Sequence, residues 1–314
     1  MSKIILSKRP FKPELIEQIH EIAPTYEFKT PGEEFSWDEV AVTIGWSEAW
    51  KEKLFPVKNL KWVQTISAGV DYLPLTLFEK NEIQVTNGSG IHAQAITDHI
   101  LATLFMKLRG IDQAVANQKK KRWHPAETHY GYLSEQQILI LGTGHIGQRL
   151  AETLSLLGAK PLGINTSGHP VTGFYKTFSM NDLFTQIQQA DFVINILPLT
   201  DETYHLFNAS FFKMMQSTAA FINVGRGASV DTSAITAALG TKEIAFAALD
   251  VFEEEPLPDN SPLWELPNVL ITPHIAGMTP HFQKAFMGIF LENLKSYVKD
   301  GTLCRNEVAL EKGY

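Results

Sequence analysis

Cysteine is almost absent from this chain: Cys304 is the only one in 314 residues. A single thiol excludes intramolecular disulfides and clusters of thiolate metal ligands. Long apolar runs are missing too, and no stretch approaches the length of a membrane span. The opening residues, MSKIILSKRPF, hold three consecutive apolar side chains before a second basic cluster, too few for a signal peptide. Positive charge is not in excess: 27 Lys and Arg against 34 Asp and Glu leave a net charge of −7. That balance argues against nucleic acid and anionic membrane as principal partners. By elimination the expected compartment is the cytoplasm. Internal repeats and low-complexity tracts are lacking as well.

What is present is a globular composition, 44% hydrophobic and 19% charged, in a chain long enough for two domains with buried cores. The pattern is organised around ILILGTGHIGQRLAETLSLLGA, residues 138 to 159. Ile138 to Leu141 form a short apolar run suited to a strand buried on both faces of a parallel sheet. Gly142, Gly144 and Gly147 follow in G-x-G-x-x-G spacing, and Ile146, Leu150, Leu154 and Leu157 recur at helical period. Strand, glycine turn and helix N-terminus together make an anion site suited to a dinucleotide pyrophosphate, with a plain strand-helix turn as the alternative. Gly142 permits the turn, Gly144 lets backbone approach the pyrophosphate, and Gly147 lets the helix pack close to the strand.

Before this turn, residues 1 to 90 alternate short strands with helices such as Pro13–Ile22 and Leu73–Lys80. The strands are expected at Ile4–Leu6, Tyr26–Phe28, Val40–Ile44, Trp62–Ile66 and Ile83–Thr86, which predicts a covered parallel sheet. Two loops at strand ends stand out, Ser67-Ala68-Gly69-Val70-Asp71 and Asn87-Gly88-Ser89-Gly90. Each is either plain turn chemistry or a set of backbone N–H groups for an anion. Residues 91 to 110 read as one long connecting helix. The basic run Lys119–Arg122, inside the polar segment 111 to 136, reads as a solvated face, with phosphate binding as the alternative.

Beyond the turn, strands are expected at Pro161–Asn165, Asp191–Leu197, Ala219–Val224, Ile244–Asp250 and Val269–Thr272. Helices are expected at Met180–Gln189, Ala209–Met215, Asp231–Leu239 and Thr279–Asp300, the last packing back on the N-terminal domain. Three loops after these strands carry polar residues. Gly225-Arg226-Gly227 presents an arginine whose planar fork suits a carboxylate. The stretch VFEEEP places Glu255 before Pro256, and Pro273-His274-Ile275 places a histidine at a strand end. If the three strands are neighbours, all three side chains face the nicotinamide end of a cofactor. A carboxylate beside the imidazole favours the protonated ring that an acid catalyst needs.

With these residues the sequence resembles the D-isomer-specific 2-hydroxyacid dehydrogenases. The likeness runs from the SAGVD loop to the closing helix and is densest in LGTGHIG, LPLTDETYHLF, INVGRG, ALDVFEEEP and TPHIAG. It implies an α/β protein of two doubly wound parallel-sheet domains, with a Rossmann cofactor domain (95–281) inserted into a flavodoxin-like substrate domain (1–94 and 282–314). It further implies an NAD(P)-dependent oxidoreductase acting on a small 2-oxo or 2-hydroxy acid. Arg226 would bind the substrate carboxylate with help from the backbone of Ala68 and Gly69. His274 would be the general acid/base, paired with Glu255. The cofactor would lie against Gly142, Gly144, His145, Ile146, Gly147, Asn165, Thr166 and Ser167. Leu197, Pro198, Thr203, Val224, Gly225, Asp250 and His274 complete that set, Asp250 at the nicotinamide carboxamide. No metal is implied, and the expected assembly is a homodimer through the cofactor domain, with hinges near 91–110 and 278–282.

Two positions depart from the family pattern. Asn165, eighteen residues after Gly147, stands where an aspartate usually meets the adenosine ribose. Without that acid a 2′-phosphate meets no like charge, and Thr166, Ser167 and His169 lie nearby, so NADP(H) is expected to be moderately preferred. Asp98 stands where glutamate is frequent. Glu255 argues against formate dehydrogenase, which pairs its histidine with glutamine. Two alternatives remain: a nucleotide-sensing, corepressor-like binding protein, and a phosphoglycerate dehydrogenase, which needs further cations for the phosphate.

Overall fold

The computed structural model describes residues 3–56, 58–125 and 130–311. Residues 126–129 of the polar segment, and the chain ends expected in the substrate domain, lie outside the described residues. The chain forms two compact units, one from Met1–Ile91 with Thr279–Tyr314, the other from His92–Met278.

The first unit begins with β1 (Lys3–Ser7), α1 (Pro13–Ile22), β2 (Tyr26–Lys29) and β3 (Val40–Ile44). It continues through α2 (Lys51–Leu54), β4 (Trp62–Gln64), α3 (Leu75–Lys80) and β5 (Gln84–Thr86). Helix α1 starts where Pro13 sits at its first turn, the position where a missing N–H costs nothing, with Glu14 beside it. The five strands pair in parallel in the order β2-β1-β3-β4-β5, the flavodoxin-like arrangement. Alternation along β1 divides the core: Ile4 and Leu6 join Trp46, Val63 and Phe78 on one face, while Ile5 joins Val42 and Trp62 on the other.

The second unit opens with α4 (Ala93–Leu108) and α5 (Ile111–Lys119). The long helix expected from residue 91 to 110 is therefore shorter and is followed by a second one. Gly110 takes the left-handed region (φ 62°) between them, which ends one helix and starts the other. Then come β6 (Ile138–Leu141), α6 (His145–Leu156), β7 (Leu162–Asn165), β8 (Lys176–Ser179), α7 (Leu183–Ile187) and β9 (Phe192–Asn195). The unit closes with α8 (Ala209–Met214), β10 (Ala220–Asn223), α9 (Thr232–Gly240), β11 (Phe246–Leu249) and β12 (Val269–Ile271).

Seven parallel strands lie in the order β12-β11-β10-β9-β6-β7-β8, the doubly wound Rossmann arrangement with a seventh strand. Strand β8 was not expected. It is an edge strand with no fully buried residue, so it lacks the apolar run that marks the central strands. The helix expected over Met180–Gln189 splits into a 3₁₀ turn, Met180–Asp182, and the short α7. Among the described residues no helix is long and apolar enough to cross a membrane.

The chain then returns to the first unit as α10 (Phe282–Asp300), three residues later than the periodicity suggests. Phe286, Ile289, Phe290 and Leu294 are buried, and the Phe290 ring stacks on Trp62 of β4 with centroids 5.0 Å apart. This apolar stripe covers the face of the first sheet that α1 shares.

Candidate active site

The glycine turn joins β6 to α6, and its geometry fits a dinucleotide. Gly142 has φ 104°, a conformation that side chains rarely adopt. A Cβ on Gly147 would lie 2.0 Å from the Gly142 carbonyl oxygen, so no side chain fits where helix and strand touch. At Gly144, by contrast, nothing lies within 4 Å of the Cβ position. Gly144 is also the N-cap of α6, and no side chain caps that end. The start of this twelve-residue helix thus has no side-chain cap, and a pyrophosphate bound there would satisfy its first amides.

At the same edge of this sheet, β10, β11 and β12 lie side by side. Asn223 is opposite Leu249, and Leu249 is opposite Ile271, so the three strands end level with one another. The loops that follow carry Arg226, Glu255 and His274. The strand order brings together the three residues that sequence alone could only join by supposition. His274 Nδ1 lies 2.7 Å from Glu255 Oε2. The other Glu255 oxygen, Oε1, accepts the Phe252 amide at 3.0 Å, which fixes the carboxylate. His274 has left-handed backbone (φ 54°), and its amide donates to the Asp250 carbonyl oxygen at 2.8 Å. One Arg226 N–H donates to the Gly225 carbonyl oxygen at 3.0 Å. Among the described residues no group of three His, Cys, Asp or Glu is arranged to hold a metal ion.

A family model for the NAD binding domain of the D-isomer specific 2-hydroxyacid dehydrogenases matches residues 101–276. The chain belongs to this family. It is an NAD(P)-dependent oxidoreductase, and solved relatives share its two parallel-sheet units. Glyoxylate/hydroxypyruvate reductase B of Citrobacter koseri is 34% identical over 245 residues, 75% of this chain and 74% of its own. The crystal structure of phosphoglycerate dehydrogenase from Lactobacillus plantarum is 41% identical, covering 98% of this chain and all of that one, with a TM-score of 0.60. A D-isomer specific 2-hydroxyacid dehydrogenase from Xanthobacter autotrophicus Py2, in complex with NADPH and MES, is 28% identical over the whole of both chains, with a TM-score of 0.86.

Within this dehydrogenase the Arg226 and His274 loops are held by buried polar groups, of which Asn195, Asn223 and Ser229 were not among the residues singled out from sequence. Asn195 and Asn223 end their strands, and with Ser229 they are fully buried. Asn195 Nδ2 donates to Asn223 Oδ1 (2.9 Å) and Ser229 Oγ (3.1 Å), while Asn223 Nδ2 and Ser229 Oγ both donate to the Arg226 carbonyl oxygen. The Arg226 backbone is thereby fixed from below. Asparagine as the last residue of an otherwise apolar strand was the available signal, because a buried amide needs partners.

Asp250 does the same for the histidine loop. It is 2% exposed, and its carboxylate accepts the Thr272 hydroxyl (2.6 Å), the Ile275 amide (2.9 Å) and the Ala276 amide (2.9 Å). Thr203, buried, donates its hydroxyl to the Pro198 carbonyl oxygen at 2.7 Å and accepts the Thr200 amide, so it braces the loop that carries Leu197 and Pro198. Ala68 and Gly69 lie in the first unit, just past β4, where Ser67 Oγ donates to the Gly69 carbonyl oxygen.

The Asn165 side chain is engaged locally: Nδ2 donates to Thr143 Oγ1 (3.2 Å) and to the His169 carbonyl oxygen (2.9 Å), and Oδ1 accepts the Gly168 amide (2.7 Å). The side chain ties the glycine turn to the 165–169 loop in a local Asx closure. Thr166 and Ser167 remain exposed, with Ser167 Oγ 3.0 Å from His169 Nδ1.

The Asp250 lock leads to a first prediction. In Asp250→Asn an amide N–H would face one of the backbone N–H groups that the carboxylate now receives. We expect a loss of about 1–3 kcal/mol in stability, the scale of an unsatisfied buried donor, together with slower turnover. Urea unfolding and steady-state rates measure the two effects.

Proposed function

We propose that this enzyme reduces glyoxylate, hydroxypyruvate or a similarly small 2-oxo acid to the D-2-hydroxy acid. The 2.7 Å contact between His274 and Glu255, beside the Arg226 loop, carries the reading. The Arg226 guanidinium binds the carboxylate bidentately and orients the neighbouring carbonyl. The Glu255 carboxylate holds Nδ1 of His274 and stabilises the imidazolium, so Nε2 is the nitrogen that gives a proton to the developing alkoxide. When bound, the nicotinamide cofactor supplies the hydride to the second carbon. The amides of α6 hold its pyrophosphate, and the Ala68–Gly69 backbone belongs to the substrate's contacts as the family likeness implies.

NADPH is the preferred cofactor in this reading. Position 165 carries no charge to oppose a 2′-phosphate, while Thr166 and Ser167 offer hydroxyl donors. The NADPH complex of the Xanthobacter relative supports this assignment. A second reading, oxidation of 3-phosphoglycerate, is favoured by the 41% identity to the Lactobacillus plantarum protein. The working assembly is a homodimer through the second unit. There α4, α5 and α6 pack together and leave Phe105, Ile111, Val115 and Leu156 exposed.

Four sets of measurements test these readings. In a panel of glyoxylate, hydroxypyruvate, pyruvate and 3-phosphohydroxypyruvate, the small acids should give the higher kcat/KM; a preference for the phosphorylated acid transfers the assignment to the second reading. Arg226→Lys should lose roughly 2–3 kcal/mol of transition-state binding with cofactor affinity unchanged, and His274→Ala about 10²–10⁴ in rate. Asn165→Asp should weaken NADPH binding relative to NADH by roughly 1–3 kcal/mol, and a wild type that binds NADH tenfold more tightly would contradict the cofactor assignment. Light scattering should give about twice the 35.1 kDa chain mass, and Ile111→Asp should halve it.

A further inference from the structure

His205 and Glu253 lie outside the chemistry described above, yet they join the two loops on which it depends. His205 Nε2 is 2.6 Å from Glu253 Oε1, and the other Glu253 oxygen accepts the Thr232 amide at 2.7 Å. Thr232 begins α9, the helix that follows the Arg226 loop. The backbone amide of His205 donates to the Ala228 carbonyl oxygen at 3.0 Å, within that same loop. Glu253 is two residues before Glu255, on the loop that reaches His274. His205 therefore grips the Arg226 loop with its backbone and the Glu255 loop with its ring.

Three further observations show how tightly this junction is made. A Cβ on Gly227 would lie 1.8 Å from the Phe252 carbonyl oxygen, so the two loops touch backbone to backbone. His205 holds left-handed backbone (φ 48°), uncommon for a residue with a side chain. The Tyr204 ring stacks on the imidazole, with centroids 4.1 Å apart and planes at 14°, which limits its rotation. Burial works against the charged form of Glu253, but hydrogen bonds from Thr232 and His205 outweigh it and hold the carboxyl below the usual carboxylate range. The residue is thus an ionised acceptor at neutral pH.

We propose that the His205–Glu253 pair is a positioning clamp, which sets the Glu255 loop against the Arg226 loop so that the proton-donor pair and the carboxylate anchor meet one substrate together. The proposal rests on the assigned roles of Arg226, Glu255 and His274. A misplacement of a catalytic group by about 1 Å can cost on the order of 10²-fold in rate. Loss of one contact from a loop held elsewhere by Thr232 and Phe252 should cost less, about tenfold.

The test is a set of variants of the full chain, assayed with NADPH and the best 2-oxo acid, with NADPH affinity and melting temperature measured alongside. His205→Ala should lower kcat about tenfold and leave the NADPH Kd within about twofold. His205→Gln, which can still donate to Glu253, should recover most of the loss. Because the clamp acts through Glu255, His205→Ala should cost little further in a Glu255→Gln background. Wild-type kcat in His205→Ala, no recovery in His205→Gln, or fully additive losses in the double variant would each overturn the proposal. His274→Ala in the same series separates the two claims: if it keeps wild-type activity, the assigned chemistry fails, whereas its loss beside an unaffected His205→Ala removes only the clamp.

Discussion

Three adjacent parallel strands that end level with one another are the constraint on which the rest depends. The pairing of Asn223 with Leu249 and of Leu249 with Ile271 leaves the chain no choice about where the next residues emerge. Arg226, Glu255 and His274 come from loops separated by tens of residues in sequence, yet they share one sheet edge. Open parallel sheets bind ligands at this edge because helix N-termini and crossover loops gather there. The uncapped start of α6 belongs to the same sheet, after β6, so the glycine turn and the three loops emerge from the same end of one sheet.

Strand ends supply location but not rigidity, since the ladder stops where the loops begin. The Arg226 and His274 loops are each held by a polar lock, and the Glu255 loop by close backbone packing. Asn195, Asn223 and Ser229 hold the Arg226 backbone; Asp250 receives three donors from the histidine loop; Gly227 lets the Arg226 and Glu255 loops meet without a side chain between them. Buried polar groups are costly when unpaired and strong when fully paired, because water is absent and the local dielectric is low. The locks are buried, whereas the His274 and Glu255 side chains are 57% and 35% exposed. These two side chains are thus the more exposed parts of loops whose undersides are fixed.

Much of this was legible in the residues, and for stated reasons. Central strands are covered on both faces, so Ile138–Leu141 and Ala220–Asn223 stand out as apolar runs, and the three glycines between β6 and α6 have the spacing that a strand, turn and helix demand. Edges and polar helices carry no such mark. Strand β8 is half exposed, and α5 has no buried residue, so both were invisible to an argument from hydrophobic runs. The pairing of His274 with Glu255 followed from motif and strand order, but the partners of Asn165 did not. Its amide closes a local turn onto Gly168 and His169, a matter of backbone path within five residues that periodicity cannot reveal. Asn195, Asn223, His205 and Glu253 were missed for a related reason. Their importance lies in which segments they join, and that is a property of the folded sheet.

The most direct measurement is the fate of the hydride and the configuration of the product. With NADPH carrying deuterium at both C4 positions of the nicotinamide and glyoxylate or hydroxypyruvate as substrate, deuterium should appear at the second carbon of the hydroxy acid. Hydroxypyruvate should yield the D isomer alone. Product without deuterium at that carbon, or product of the L configuration, would contradict the account.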